Sequence, residues 1–477
     1  MNAPVELTAE VLAQRQREVV QALMAVLPNH CLLYREEDTV AYECDGLAAY
    51  RRLPLAVALP ETESQVQRIV QICHRLDVPI VPRGAGTGLS GGANAVAGCV
   101  VVSLERMTAV REVNVEERYA VVEAGVINDD LRRHVAAYGL WYPPDPASQA
   151  ISTIGGNVAT NAGGICCVKY GVTRDYVLGL TVVLADGSIA RLGRTTAKGV
   201  TGYDLTALMV GSEGTLGIVV DVTVKLRPIG GREERAVIGY FRSLTDAGRA
   251  VAAVAAAGIV PSALELIDRM CLHTVAEWQG WQLPEHANAL LLATVDEVGA
   301  AGEELADRVA ELFLAAGGAQ VERASDPEEV ARLFLARRLA YPSLERLGPV
   351  LTEDVCVPRS AVPEMLARIE RIAADADVVI ANIAHAGDGN LHPLIIAPEG
   401  DDAAEQRAKA AFDLIVESCR ELGGTVTGEH GVGLLKLRGA AAELSPVVLR
   451  MHAAVKHALD PQGILNPGKA FPAPAAS

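Results

Sequence analysis

The ten residues from Arg83 to Gly92, RGAGTGLSGG, limit this chain more than any other stretch. Five of the ten are glycines. Side chains are almost absent, so backbone N–H groups can approach a phosphate closely. Gly86, Gly88 and Gly91 match the GxGxxG spacing of a dinucleotide-binding fingerprint. That fingerprint needs a helix to open directly after the glycines. Here the chain runs through Asn94 and Gly98 into an apolar strand, Cys99 to Leu104. The stretch therefore reads as a phosphate cradle between strands. The plainer reading, a glycine-rich turn, costs the same folding entropy with no ligand to offset it.

The flanking pattern is β-α-β. Leu55 to Leu59 and Val78 to Val81 are apolar strands. Between them Thr62 and Gln65 cap a helix whose Val66, Ile69, Val70 and Cys73 share one face. Further on, Tyr119 to Glu123 is a strand. Asn128 is the expected cap of a helix that carries Asp129 and Asp130 in its first turn and ends at Gly139. The rigid stretch Pro143 to Ser148 leads to a second small-residue loop, Ser152 to Gly164. Asp186-Gly187 marks a hairpin. Gly211 to Ile218 is a third glycine-rich stretch, before the strand Val219 to Leu226. Repeated cradles of this kind suit a long ligand with several polar parts.

Pro228 to Gly231 reads as a domain boundary. After it the order is strand, helix, strand, strand, helix, strand over Ala236 to Arg323, which predicts a ferredoxin-like sheet. A helix through Arg337 and Arg338 follows. Val378 to Ile383 and Leu391 to Ile396 then form two apolar strands around Asp388-Gly389, a strong signal for a two-residue type I′ turn. That turn pairs His385 with His392 directly, with Cβ atoms about 5 Å apart on one face. This is chelating distance for one metal ion, and Glu429 in TGEHGVG can supply a third ligand beside His430. The other reading is a hairpin whose histidines are simply hydrogen-bonded. Ser445 and Pro446 start the last helix, Asp460-Pro461 stops it, and Asn466 to Lys469 forms an ordered turn.

Composition narrows the function. The formal net charge is −17, so no nucleic-acid partner is expected. No stretch approaches ~20 apolar residues, so no membrane span is expected. The first thirty residues read as an amphipathic helix, with Leu12, Val19 and Leu23 on one side, and not as a secretory signal. Nine scattered cysteines without a CxxC pair suggest reduced thiols, a cytoplasmic location and no iron–sulfur cluster in this chain.

Seven motifs in order carry a family resemblance: PRGAGTGLSGGAN from Pro82, YPPDPAS from Tyr142, STIGGNVATNAGG from Ser152, GSEGTLGI from Gly211, HAGDGNLHP from His385, TGEHGVG from Thr427 and NPGKAF from Asn466. The chain resembles, over nearly its whole length after Glu43, the family of the glycolate oxidase FAD-linked subunit and the D-lactate and D-2-hydroxyglutarate dehydrogenases. That family lies within the vanillyl-alcohol-oxidase flavoprotein superfamily. The resemblance implies an α+β fold in which a two-part FAD-binding domain of that type joins a ferredoxin-like α/β cap domain. The expected divisions are a helical segment over 1–50, the FAD domain over 51–228, the substrate domain over 229–440, and a segment returning to the flavin over 441–477.

Carried over residue by residue, it implies FAD contacts from Pro82, Arg83, Gly84, Ala85, Gly86, Thr87, Gly88, Leu89 and Ser90 around the pyrophosphate. Pro144, Asp145, Ser148, Gly155, Gly156, Asn157, Asn161, Gly163 and Gly164 lie along the flavin. Glu213, Gly214 and Ile218 flank it, and Asn466 approaches its ring. His385, His392 and Glu429 match ligands of a divalent metal, zinc or manganese. His430 matches the base, and Arg337 the arginine that holds the substrate carboxylate. No histidine lies between Arg83 and Gly92, so the FAD is expected to be non-covalent. Thr352 and Leu394 replace two polar residues of the D-2-hydroxyglutarate branch, so a small 2-hydroxy acid, glycolate or D-lactate, is the expected substrate. Two other classes remain beside this one: a flavin-binding subunit without chemistry, and a metallohydrolase without flavin. Electrons are expected to leave to a partner subunit, a quinone or a cytochrome.

Overall fold

The computed structural model describes residues 8–324, 327–397 and 400–472. They divide into two compact units. The first takes the described residues of 1–163, 172–229 and 429–477; the second takes those of 164–171 and 230–428. Two pieces fall elsewhere than the sequence boundaries put them. Residues 429–440 belong to the first unit, where the N–H groups of Leu434 and Leu435 both bond the Ser90 carbonyl, at 2.8 and 3.2 Å. Residues 164–171 belong to the second, where the Lys169 ammonium and the Tyr170 hydroxyl both bond the Asp296 carboxylate.

The first unit holds a four-stranded sheet in the order Leu32–Leu33, Ala56–Ala58, Val100–Ser103, Ile80–Arg83. Its last three strands are parallel. The β-α-β expectation is met: the helix Glu63–Leu76 is capped by Thr62 and buries Val66, Ile69, Val70, Ile72 and Cys73. Val19, Val20 and Leu23 of the helix Ala9–Met24 join the same core. Each such side chain, fully buried, contributes roughly 1.5–3 kcal/mol. The glycine loop leaves from the end of Ile80–Arg83 and runs to Val100–Ser103, so it does join two strands. A second, five-stranded antiparallel sheet is centred on Ile218–Lys225, whose residues alternate between buried and half-buried up to the exposed Lys225.

Two local expectations fail here. Asn128 is not a cap. Ile127 occupies that position, and the buried Asn128 amide donates instead to the Pro144 carbonyl (3.2 Å) and to Asn157 Oδ1 (3.0 Å). The stretch Ser152 to Gly164 is not loop throughout. Ile154–Thr160 is a short helix, with Thr153 Oγ1 accepting from the Gly156 N–H and Asn161 closing it in the left-handed region. Gly155 lowers helix propensity, yet a Cβ there would sit 2.6 Å from the Ala124 Cβ. Close packing therefore outweighs propensity.

The second unit carries an eight-stranded sheet. Its order is Gly318–Ala324, Arg235–Phe241, Ala289–Val295, Ala263–Asp268, Val379–His385, Asn390–Ile396, Val350–Thr352, with Val355–Cys356 also pairing Asn390–Ile396. The first four strands, numbered along the chain, run 4-1-3-2, the ferredoxin-like arrangement. An unanticipated helix, Arg269–Gln279, fills the link between the second and third of these. Asp268 caps it, and Cys271, Leu272, Val275 and Ala276 are buried. With Leu333, Ala336, Ala340 and Leu344 of the helix Pro327–Glu345, it covers one face of the sheet.

The histidine hairpin forms in a different register. His385 pairs with Asn390, and His392 with Ile383. The loop is four residues, 386–389, closed by Asp388 N–H to His385 O and Gly389 N–H to Ala386 O, both 3.1 Å. Only Gly389 of the Asp388-Gly389 pair has positive φ, +78°, whereas type I′ needs both. The neighbouring chain accounts for this. Val357 N–H bonds the Gly389 carbonyl at 2.9 Å, and a Cβ on Gly389 would stand 2.1 Å from the Val357 carbonyl oxygen. Among the described residues no helix is long and apolar enough to cross a membrane.

Candidate functional site

In the first unit, Pro82 through Ser90 line a cavity without interruption. Ser148, Gly155, Gly156, Asn157, Gly163, Glu213, Gly214 and Ile218 line it too, as do Glu429 and His430. Asp45, Thr153 and Ser212 also border it; the sequence reading assigned none of them to the cofactor, although Thr153 and Ser212 lie within two of the motifs. Pro144, Asp145, Asn161 and Asn466 lie off the cavity wall, and Gly164 belongs to the second unit.

The donor chemistry of this cavity suits a phosphate. From Gly84 to Ser90, no backbone N–H finds an acceptor among the described residues. The Ser90 side chain is 2% exposed, and its Oγ has no partner. Seven consecutive unsatisfied donors and a buried hydroxyl form a concavity that an anion can complete. The loop is held from beneath. The Arg83 guanidinium donates to the Cys44 carbonyl at 2.8 Å and lies over the Tyr42 ring, 5.5 Å from its centroid.

Asn466 acts as a tie. Its Nδ2 donates to the carbonyls of Gly92 (2.9 Å) and Glu213 (2.7 Å), and its Oδ1 accepts from Lys469 (2.8 Å). Lys469 also donates to the carbonyls of Gly92 and Asn94. Burial brings the Lys469 ammonium down to about 8. Glu213 receives the N–H groups of Val432 and Gly433, both at 2.8 Å, and burial raises its pKa despite them. The first loop, the third glycine stretch and the segment after His430 are thus tied together by buried polar groups. His430 is half-buried, with its Nε2 3.7 Å from Glu429 Oε1.

In the second unit the His385 and His392 rings stand edge to face, with centroids 5.2 Å apart. The register moved by two residues, so both still point to one face of the sheet. Glu265 lies directly across from His385 in the neighbouring strand. Its Oε1 is 2.8 Å from His385 Nδ1, and its Oε2 is 2.8 Å from Arg337 Nε. Burial alone would raise the Glu265 pKa; the charges of His385 and Arg337 outweigh it and lower the value. Arg337 is buried and Arg338 exposed, so of the two arginines only Arg337 faces this cluster. Asp354 faces His392 Nδ1 at 3.8 Å and also binds the Thr427 hydroxyl and the Gly428 N–H.

Two buried imidazoles, one with its Nδ1 on a carboxylate, are a donor set that fits a divalent metal. Glu429, the third expected ligand, lies in the first unit. Glu265 escaped the sequence reading, although a lone glutamate inside the apolar run ALELI was a signal.

Comparisons with known proteins agree with this geometry. Residues 54–193 match the family model described as "FAD binding domain", and residues 232–470 match "FAD linked oxidases, C-terminal domain". The glycolate oxidase subunit GlcD of Escherichia coli (strain K12) is 40% identical over 455 residues, covering 95% of this chain and 91% of the relative. A D-lactate dehydrogenase of Anaerostipes hadrus is 35% identical over 464 residues, covering 95% and 97%. Among solved structures, 4-ethylphenol oxidase from Gulosibacter chungangensis superposes with a TM-score of 0.80 at 20% identity, covering 99% of each chain. Its fold is the vanillyl-alcohol-oxidase type expected from the motifs. With a cradle of free N–H donors and relatives matched along nearly the full chain, this protein belongs to the FAD-linked oxidase family of GlcD and D-lactate dehydrogenase, and it is an FAD-dependent oxidoreductase.

Proposed function

We propose that the protein oxidises a small 2-hydroxy acid, glycolate or D-lactate, to the 2-oxo acid, with non-covalently bound FAD and a divalent metal. The observation that carries this reading is the presence of His430 on the wall of the same cavity as the unsatisfied N–H donors of Gly84 to Ser90. Bound FAD supplies the hydride acceptor, and a bound zinc or manganese ion acidifies the substrate hydroxyl. The chain supplies the rest. The loop N–H groups hold the pyrophosphate. His430 Nε2 takes the hydroxyl proton, within reach of neutral pH for an imidazole. Arg337 uses its Nε on Glu265, and its two Nη groups serve the substrate carboxylate. His385 and His392 provide nitrogen ligands to the metal, with Glu429 as the carboxylate the family pattern adds. Electrons then leave to a partner subunit, a quinone or a cytochrome.

A D-2-hydroxyglutarate substrate is disfavoured. Thr352 and Leu394 stand opposite each other in the sheet, and Leu394 is fully buried in the apolar core. Neither residue offers a charge to a second carboxylate, and an unpaired buried carboxylate is costly. The test is anaerobic stopped-flow bleaching of the flavin with glycolate, D-lactate and D-2-hydroxyglutarate. Fastest reduction by either of the first two is expected. A tenfold preference for the diacid overturns the substrate assignment, and no bleaching by any of them overturns the function. Acid precipitation should release the flavin into the supernatant.

A further inference from the structure

Glu265 has no part in the chemistry proposed above, yet it touches two of its members. It lies in the strand Ala263–Asp268, every residue of which is buried, and is itself 1% exposed. A carboxylate in such a place is costly unless both oxygens are paired. Here they are. Oε1 meets His385 Nδ1 at 2.8 Å, and Oε2 meets Arg337 Nε at 2.8 Å while also lying 3.0 Å from His385 Nδ1. Strand pairing fixes the first contact, because Glu265 and His385 are registered partners. The helix Pro327–Glu345, which carries Arg337, fixes the second, because its Leu333, Ala336 and Ala340 are anchored in the core on this sheet.

We propose that Glu265 is a positioning residue that sets His385 for the metal and Arg337 for the substrate carboxylate at the same time. The inference rests on the function proposed above. A carboxylate on Nδ1 holds the proton there, so the Nε2 lone pair is the one presented to a metal. A carboxylate on Nε of a planar guanidinium leaves the two Nη groups, the end of the fork that grips a carboxylate bidentately. One residue thereby links metal affinity to substrate binding. A purely structural role would need neither partner, since well-packed apolar groups replace buried ion networks without loss of stability.

The decisive variant is Glu265→Gln. It preserves volume, but its amide offers one acceptor and one donor, so either the Nδ1–H of His385 or the Nε–H of Arg337 must face an N–H. We expect the dissociation constant for added Mn²⁺ or Zn²⁺ to rise roughly 10–100-fold and KM for the hydroxy acid to rise with it, while FAD content stays at one per chain. Glu265→Asp retains the charge but is shorter, and should recover part of the metal affinity lost in the glutamine variant. An independent readout needs no metal: ¹⁵N shifts of the His385 ring, identified by their loss in His385→Ala. The Nδ1 should be protonated in the parent and lose that preference in Glu265→Gln. Unchanged metal affinity and KM in Glu265→Gln, or an unprotonated Nδ1 in the parent, overturn the proposal. If the parent binds no divalent metal, the metal part of the proposed function fails by itself, and the ¹⁵N and KM arms still decide the role of Glu265.

Discussion

Removal of His430 and removal of either hairpin histidine, His385 or His392, should have different consequences. His430→Ala should keep its FAD and metal while flavin reduction by substrate slows by about 10²–10⁴-fold, the usual contribution of general acid–base catalysis. His385→Ala and His392→Ala should instead lose metal. Metal analysis with anaerobic flavin reduction on the three variants separates these roles; loss of metal in His430→Ala with retention in His385→Ala would reverse them. These histidines were legible in the sequence because each stands where a bland reading is strained, on an apolar strand or within a run of glycines. Glu265 was only half legible: a lone glutamate in an apolar run marks a buried carboxylate, but its partners emerge only once the strand of His385 and the helix of Arg337 are placed beside it.

Among elements, the helix Arg269–Gln279 depends on a buried carboxylate. Asp268 caps it through the Cys271 N–H at 3.0 Å and also accepts from the Asn382 N–H in the strand Val379–His385. Burial pushes the Asp268 carboxyl up to about 6 from an ordinary 3.8. The folded state therefore holds a proton that the unfolded chain releases between those values. The stabilisation is complete below about pH 4 and lost as the pH rises through 6. Asp268→Asn should remove that slope. The parent should gain roughly 2–3 kcal/mol relative to the variant between pH 6.5 and 4, at about 1.4 kcal/mol per pH unit, measured from urea unfolding of both proteins at each pH. A constant difference across that range would disprove it. Elements were read well where period and caps agreed, as in Glu63–Leu76, and badly where packing overruled local preference. Thr153 starts a helix that two glycines argue against, and Val357 stretches a turn that Asp388-Gly389 would make shorter.

At the scale of the molecule, the ferredoxin-like order and the strand-to-strand phosphate loop followed from hydrophobic pattern and turn residues. The division of the chain did not, because the contacts that assign 429–440 to the first unit are backbone bonds to Ser90, invisible to composition. The same unit depends on its last segment. Lys469→Met should leave the buried Asn94 carbonyl and Asn466 Oδ1 without their Lys469 donor, each at a cost of about 1–3 kcal/mol. FAD should then bind at least tenfold more weakly, by fluorescence of released flavin on dilution, while the second unit keeps its unfolding transition. Retention equal to the parent's would show that the tie is dispensable. The tie also has a history. Asn466 grips the Gly92 carbonyl from 374 residues along the chain. At about 5–20 residues per second, a ribosome needs roughly 20–75 s to cover that distance. Throughout that interval the glycine loop has been made but lacks this tie, while all of the second unit is made within it. The part of the protein synthesised first is therefore the part finished last.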